Sequence, residues 1–217
     1  MPICSFLRLA CFGICLLAPG CGDNHTDELI AKLQDTDPDI RRLAVSELAD
    51  SEGDQVVVAL ATVADDSNTD VRRLAINALG QRGTQAAAQL PSILPALEDS
   101  QLSVRLASAL AIQSIDPNSE AFVPVLVEAL RAGEGGIFLK VAEMGPNAEW
   151  AVQTLIQLLS HPEVKIRRLT AITLGQLGPT ARDATSAIKR AQNDPEEVVR
   201  NAAQQALQQI NSTPDGE

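Results

Sequence analysis

The sequence predicts an all-α fold, a tandem array of helix pairs, and three observations carry that prediction. The first is composition. Of 217 residues, 45% are hydrophobic but only 2% aromatic, with no Tyr and one Trp. Apolar content of the Ala, Leu and Val kind builds thin cores between packed helices. The second is periodicity: from Val71 to Leu79 the apolar positions 0, +4, +7 and +8 share one face of a 3.6-residue helix. Ala75 and Ala78 are small enough for a neighbouring helix to approach closely, and Gly83 stands where a helix C-cap is expected. The third is repetition. The phrase Val71-Arg72-Arg73-Leu74-Ala75 returns as Ile40-Arg41-Arg42-Leu43-Ala44, Val104-Arg105-Leu106-Ala107, Ile166-Arg167-Arg168-Leu169-Thr170 and Val199-Arg200-Asn201-Ala202-Ala203. In chain order the starts lie 31, 33, 62 and 33 residues apart, so the long gap holds two units.

Taken from the N-terminus, all four cysteines fall in the first 21 residues, as Cys4, Cys11, Cys15 and Cys21. From Gly22 onward the chain has no thiol for a disulfide or a Cys-based metal site. Residues 1–20 carry one charge, Arg8, and an apolar run from Leu9 to Ala18. That run falls short of the roughly 20 residues a membrane-crossing helix needs. It suits the core of a secretory signal peptide. The segment ends at Leu17-Ala18-Pro19-Gly20-Cys21, which resembles a bacterial lipobox and implies lipidation of Cys21. It departs from the pattern in placing Ala18, not Leu, three residues before the Cys, and in carrying Pro19; a cleaved signal with an incidental Cys is the alternative.

Residues 21–25 read as a lipidated tether, with Thr26 as cap of a first helix bearing Leu29, Ile30 and Leu33. Asp37 caps a second helix over 38–49, with Pro38 at its first position. The pair then recurs as 55–64 with 69–82, 85–97 (interrupted by Pro91 and Pro95) with 100–115, and 119–132 with a weak, glycine-rich 136–144. It continues as 149–160 with 162–177 and 181–192 with 195–210. Residues 211–217 have no apolar content and read as a disordered tail.

Paired helices carrying Val-Arg-x-x-Ala-x-x-Ala-Leu-Gly near a 33-residue period resemble the HEAT repeat, in its phycobilisome-lyase HEAT-like subtype, over about residues 26–210. The resemblance implies a right-handed α-solenoid of about six HEAT-like helix pairs, each buried only against its neighbours. At about 8–10 Å per layer the rod is roughly 50–60 Å long. It also implies that Arg41, Arg72, Arg105, Arg167 and Arg200 form a structural ladder with acids in adjacent turns, candidates being Asp37, Asp70, Asp99, Glu163 and Glu196. The fourth unit departs: Gly133 and Glu134 stand where the others carry Val or Ile and Arg, which makes it either a degenerate repeat or a hinge.

Enzyme chemistry finds little footing. The two histidines, His25 and His161, lie in different units, and neither precedes a Glu as the iron-binding HEAT-like hydroxylases require. Bilin lyases of this subtype need a cleft for a large aromatic chromophore, and Trp150 reads as a core anchor. No catalytic triad, phosphate loop or metal spacing is visible, and no cofactor is expected. A net charge of −11 opposes a nucleic-acid partner, although Arg41-Arg42, Arg72-Arg73 and Arg167-Arg168 give a basic surface some foothold.

The expected function is a non-catalytic protein-interaction scaffold in the cell envelope, held to the membrane through its lipid alone. The alternatives are a soluble adaptor and a HEAT-like or lyase-related enzyme. Second helices of such a solenoid line its concave side. There the outward positions +2, +6 and +9 read polar or small at both ends of the chain but apolar in the middle: Leu106, Leu110, Leu139 and Ile172. With Arg42, Arg73 and Arg168 these are the candidate contacts for a protein partner, whose identity, like the oligomeric state, the sequence leaves open.

Overall fold

The computed structural model describes residues 23–212, and those residues form twelve α-helices and no strand. They stack as six pairs: α1 (Asp23–Lys32) with α2 (Pro38–Ala49), α3 (Asp54–Ala61) with α4 (Thr69–Gln81), and α5 (Leu90–Ile93) with α6 (Leu102–Ile115). Then follow α7 (Val123–Arg131) with α8 (Gly135–Glu143), α9 (Val152–Leu158) with α10 (Val164–Gln176), and α11 (Thr185–Ala191) with α12 (Glu197–Asn211). The fold is an α-solenoid. One apolar core of Ala, Val, Leu and Ile runs through all six pairs.

Local chemistry sets the element ends. Asp37 Oδ1 accepts the Asp39 N–H at 2.9 Å, and Pro38 fills the first position of α2, where no N–H is needed. Asn68 Oδ1 accepts the N–H groups of Asp70 and Val71 and starts α4. Gly83, Gly145 and Gly178 hold φ near 54–55° and end α4, α8 and α10, as the repeat phrase predicts for Gly83. Each opens a 3₁₀ segment: Gly83–Gln89, Gly145–Ala151 and Gly178–Ala184.

Four expectations need correction. Helix α1 starts at Asp23, so 23–25 are helix rather than tether; acidic and polar residues suit a first turn, and His25 Nε2 lies 3.8 Å from a Glu47 carboxylate oxygen of α2. The first helices of the third, fifth and sixth pairs are shorter than the periodicity predicts, because their opening turns are 3₁₀. In the third pair Pro91 and Pro95, each lacking an N–H, confine the α-helix to four residues. Trp150 lies in a 3₁₀ segment rather than in α9, and it is half-buried. At the other end α12 takes in Asn211, while 213–217 and the signal and lipid segments up to Gly22 lie outside the described residues.

The second helices form the closely packed layer. A Cβ on Gly80 would sit 2.8 Å from Ala111 Cα, and one on Gly175 2.8 Å from Ala206 Cα. Backbones that approach this closely on one side only curve a stack toward that side, which makes the second-helix layer the inner one. The layer is interrupted once. Helices α2–α4, α4–α6, α8–α10 and α10–α12 pack along one another, whereas α6 and α8 barely touch. At nine residues α8 is the shortest second helix. Its opening glycines are accounted for differently: Gly135 and Gly136 face open space, but Gly133 has φ 75° and a Cβ there would meet Ile166 Cδ1 at 2.5 Å.

Candidate interaction surface

Five arginines at one register position hold the turns of the rod. In each, Nη1 donates to two backbone carbonyls of its own turn, six and five residues back: Asp35 and Thr36 for Arg41, Asp66 and Ser67 for Arg72, Asp99 and Ser100 for Arg105. Arg167 does the same with His161 and Pro162, and Arg200 with Asp194 and Pro195. In all but Arg200, which lies in the last pair, the rest of the fork reaches the next repeat. Arg41 meets Asp66 through Nε and Nη2, both at 2.7 Å; Arg72 meets Asp99 at 2.8 and 3.2 Å; Arg167 meets Asp194 at 2.8 and 2.9 Å. Arg105 makes a single bond to Glu128 of α7 at 2.7 Å, and that glutamate is 52% exposed.

The acceptors differ from those expected at all but Asp99. Asp37 caps its own helix, Asp70 pairs with Arg73, and Glu163 and Glu196 give their backbone N–H to His161 and Asp194. The three aspartates in use lie six residues before Arg72, Arg105 and Arg200, where they also accept the N–H two residues on: Asp66 from Asn68, Asp99 from Gln101, Asp194 from Glu196. Burial pushes the Asp66 and Asp99 carboxyls up. The arginine and backbone hydrogen bonds and the neighbouring charges outweigh it, and both end below the usual carboxylate range. In Asp194 the bond to Arg167 is the largest influence and the direction is the same.

The ladder has a gap one joint further on than the opening of the inner layer, between the fourth and fifth pairs. In register, Glu134 stands where an arginine belongs and His161 where its carboxylate belongs. His161 Nδ1 still accepts the Glu163 N–H at 3.1 Å, so the turn keeps its shape without the inter-repeat bond.

The predicted partner residues are not equivalent. Leu139 is 57% exposed, whereas Leu106, Leu110 and Ile172 are half-buried and lean on the core. Leu110 is common to two grooves. One, of about 230 Å³, lies between α6 and α8 with Gln113, Ser114, Lys140, Glu143 and Met144; the other, of about 190 Å³, lies between α4 and α6 with Asn77, Gly80 and Gln81. Arg42 and Arg73 are tied to Asp39 and Asp70 three residues back, at 3.4 and 3.1 Å, while Arg168 is exposed and makes no ion pair.

Two further features carry no sequence signal. Arg82 Nη2 donates to the carbonyls of Leu48, Ala49 and Ser51 at 3.0, 2.8 and 2.5 Å, closing the C-terminus of α2 from the next repeat. Phe122 and Trp150 meet edge to face, with ring centroids 6.1 Å apart. A groove of about 670 Å³ beside α3 and α5 has Arg72 and Asp99 on its wall; these already satisfy each other. No cluster of His, Cys, Asp and Glu fit to hold a metal, and no helix long and apolar enough to cross a membrane, occurs among the described residues.

Stacked helix pairs joined turn to turn by arginine forks define a repeat solenoid. The chain belongs to the HEAT-repeat family, whose pattern matches residues 26–90 and 139–208. The unmatched stretch between them holds most of α5, all of α6 and α7, and the start of α8. No curated protein matches the chain. Solved structures with the same architecture include an engineered protein (18% identity, 86% of this chain and 96% of the other, TM-score 0.55). They include a designed armadillo repeat protein (17% identity, 85% and 99%, TM-score 0.53). The complex of CpcE and CpcF of phycocyanin lyase from Nostoc is similar at 18% identity, over 95% of this chain and 82% of that one, with a TM-score of 0.53. At these identities the likeness concerns the fold.

Proposed function

We propose that the protein is a non-catalytic scaffold that binds a protein partner on the inner face of its solenoid and is held outside the cytoplasm by lipid on Cys21. The observation that carries the binding surface is Leu110. It is half-buried, faces the inner layer, and borders a groove on either side, one of them at the single place where consecutive second helices separate. Leu139 and Met144 add apolar surface on α8, and Lys140 and Glu143 give that groove a charged rim. A groove with an apolar centre and a polar rim is the usual anatomy of a protein contact. The anchor reading rests on the short apolar run that ends at Cys21, and one acyl chain gives marginal binding whereas a multiply acylated Cys holds stably.

Two experiments test the parts separately. Photo-crosslinkers placed at 110 and 139 in cells should trap one and the same partner, while placement at the outward Gln153 of α9 should not; equal trapping at all three rejects the inner-face reading. In fractionated cells the wild type should sediment with membranes and Cys21→Ser should not. A wild type already in the soluble fraction rejects the anchor.

A further inference from the structure

On the edge of the rod opposite the arginine ladder, the connections entering the fourth and fifth pairs enclose a groove of about 570 Å³. Its aromatic wall is Trp150, backed by the buried Phe122. Pro117, Pro124 and Pro146 also line it; as rigid residues they keep its walls formed without a ligand. Two carboxylates, Glu120 and Glu149, stand on it from successive units, exposed and without ion-pair partners, and no Lys or Arg lines it.

The repeat itself does not call for this indole. Counting from the glycine that opens each 3₁₀ segment, the position of Trp150 is filled by Ala88 in the third pair and Asp183 in the sixth, both exposed. Nor is Trp the natural choice for packing alone. Its Nε1 is buried and has no hydrogen-bond partner, a cost that a phenyl ring would avoid. What the indole adds over Phe is a broader, more electron-rich face.

An aromatic face sharing one groove with two uncompensated carboxylates matches one side-chain chemistry well. A guanidinium is planar, weakly hydrated, stacks on indole, and directs its N–H fork at carboxylates in the same plane. An ammonium is a more strongly hydrated point charge and gains less from a flat wall. We propose that this groove binds an arginine side chain of a partner polypeptide, with the guanidinium on Trp150 between Glu120 and Glu149. The site is independent of the inner-face surface and stands or falls without it.

Because the chain has one Trp and no Tyr, its intrinsic emission reports this groove directly. The full chain is titrated with Nα-acetyl-arginine methylamide, and in parallel with the capped lysine and with capped triproline. The expected result is a saturable change in emission, with arginine binding at least fivefold tighter than lysine. In E120Q/E149Q the arginine affinity should fall at least fivefold while the melting temperature stays within a degree; E149Q alone should lose an intermediate amount. A response that does not saturate, equal responses to arginine and lysine, or an affinity untouched in both variants overturns the proposal. Saturation by triproline but not by arginine makes the groove a polyproline site and overturns it equally.

Discussion

The Arg167 guanidinium is shared between two repeats, with Nη1 on its own turn and Nε and Nη2 on Asp194. Both side chains of that pair are about nine-tenths buried, at 11% and 8% exposure, so breaking it leaves a charge poorly solvated. Asp194→Asn should therefore destabilise by about 1–3 kcal/mol. The exposed pair Arg42–Asp39 gives a control: Arg42→Ala should cost less than about 1 kcal/mol in the same urea titration. Equal losses would mean that the ladder does not hold the rod. Asp66, Asp99 and Asp194 are all held below their ordinary values, so the folded state binds fewer protons than the unfolded one. Their contribution is complete above the unfolded carboxylate value near about 4 and disappears as pH falls through the lower folded values. Urea midpoints should thus be flat down to about pH 5 and fall below it; replacing all three by Asn should flatten the fall. Glycines separate as clearly. Gly→Ala within a helix ordinarily gains up to about 1 kcal/mol. Gly136→Ala, with open space around it, should stabilise, whereas Gly80→Ala drives a Cβ into Ala111 and should destabilise. Gains at both positions would show that α4 and α6 have room to spare.

Among the elements, α8 is the one whose neighbours support it least. It is short, opens with two glycines facing open space, barely touches α6, and lies beside the gap in the ladder. In a nearly one-dimensional array, opening starts where the contact between neighbours is weakest. Hydrogen exchange among the internal second helices should be fastest over 135–143, and equal protection there and over 71–79 rejects the idea. This weakness was legible in the sequence, because missing Val/Ile and Arg and three glycines all show in one line. So were the six pairs, their period and the five arginine donors, since these depend on residues close in the chain. The acceptors were not. A cap carboxylate such as Asp37 and a ladder carboxylate such as Asp66 have the same composition around them, and only the turn geometry shows which one faces the next repeat. The Phe122–Trp150 contact spans 28 positions and has no counterpart in other units, so periodicity is silent on it. In the sequence Gly133 reads as part of a degenerate repeat or a hinge; in the fold its missing side chain leaves the space that Ile166 fills.

At the scale of the molecule the two ends differ. Ile40 and Leu43 are 36% and 54% exposed at the first pair, while the counterparts of Ile40 (Val71, Val104, Ile166 and Val199) are buried and those of Leu43 are half-buried (Leu74, Leu169) or buried (Ala107, Ala202). The last helix ends the array with polar residues: Gln204 and Gln208 fill the places of Ile76 and Gly80. The polar outer face a terminal repeat needs is therefore more nearly complete at α12, where Val198 is 50% exposed, than at α2. Leu43→Gln should leave stability within about 0.5 kcal/mol, as an exposed substitution does; a loss above about 2 kcal/mol would show that this end is covered in solution. The ladder has a last consequence, for growth. Arg41, Arg72, Arg105 and Arg167 are each anchored to their own turn and bonded to the following one, so a unit carries its own means of attachment. Duplicating residues 67–99 in tandem would present Arg72 and Asp99 twice, with both Arg72 forks meeting a carboxylate one unit ahead. Such a chain should fold about 8–10 Å longer by small-angle scattering, and melt no lower than its parent. The same duplication cut between 133 and 134 would copy a joint with no arginine, and should lengthen the rod at the expense of its melting temperature.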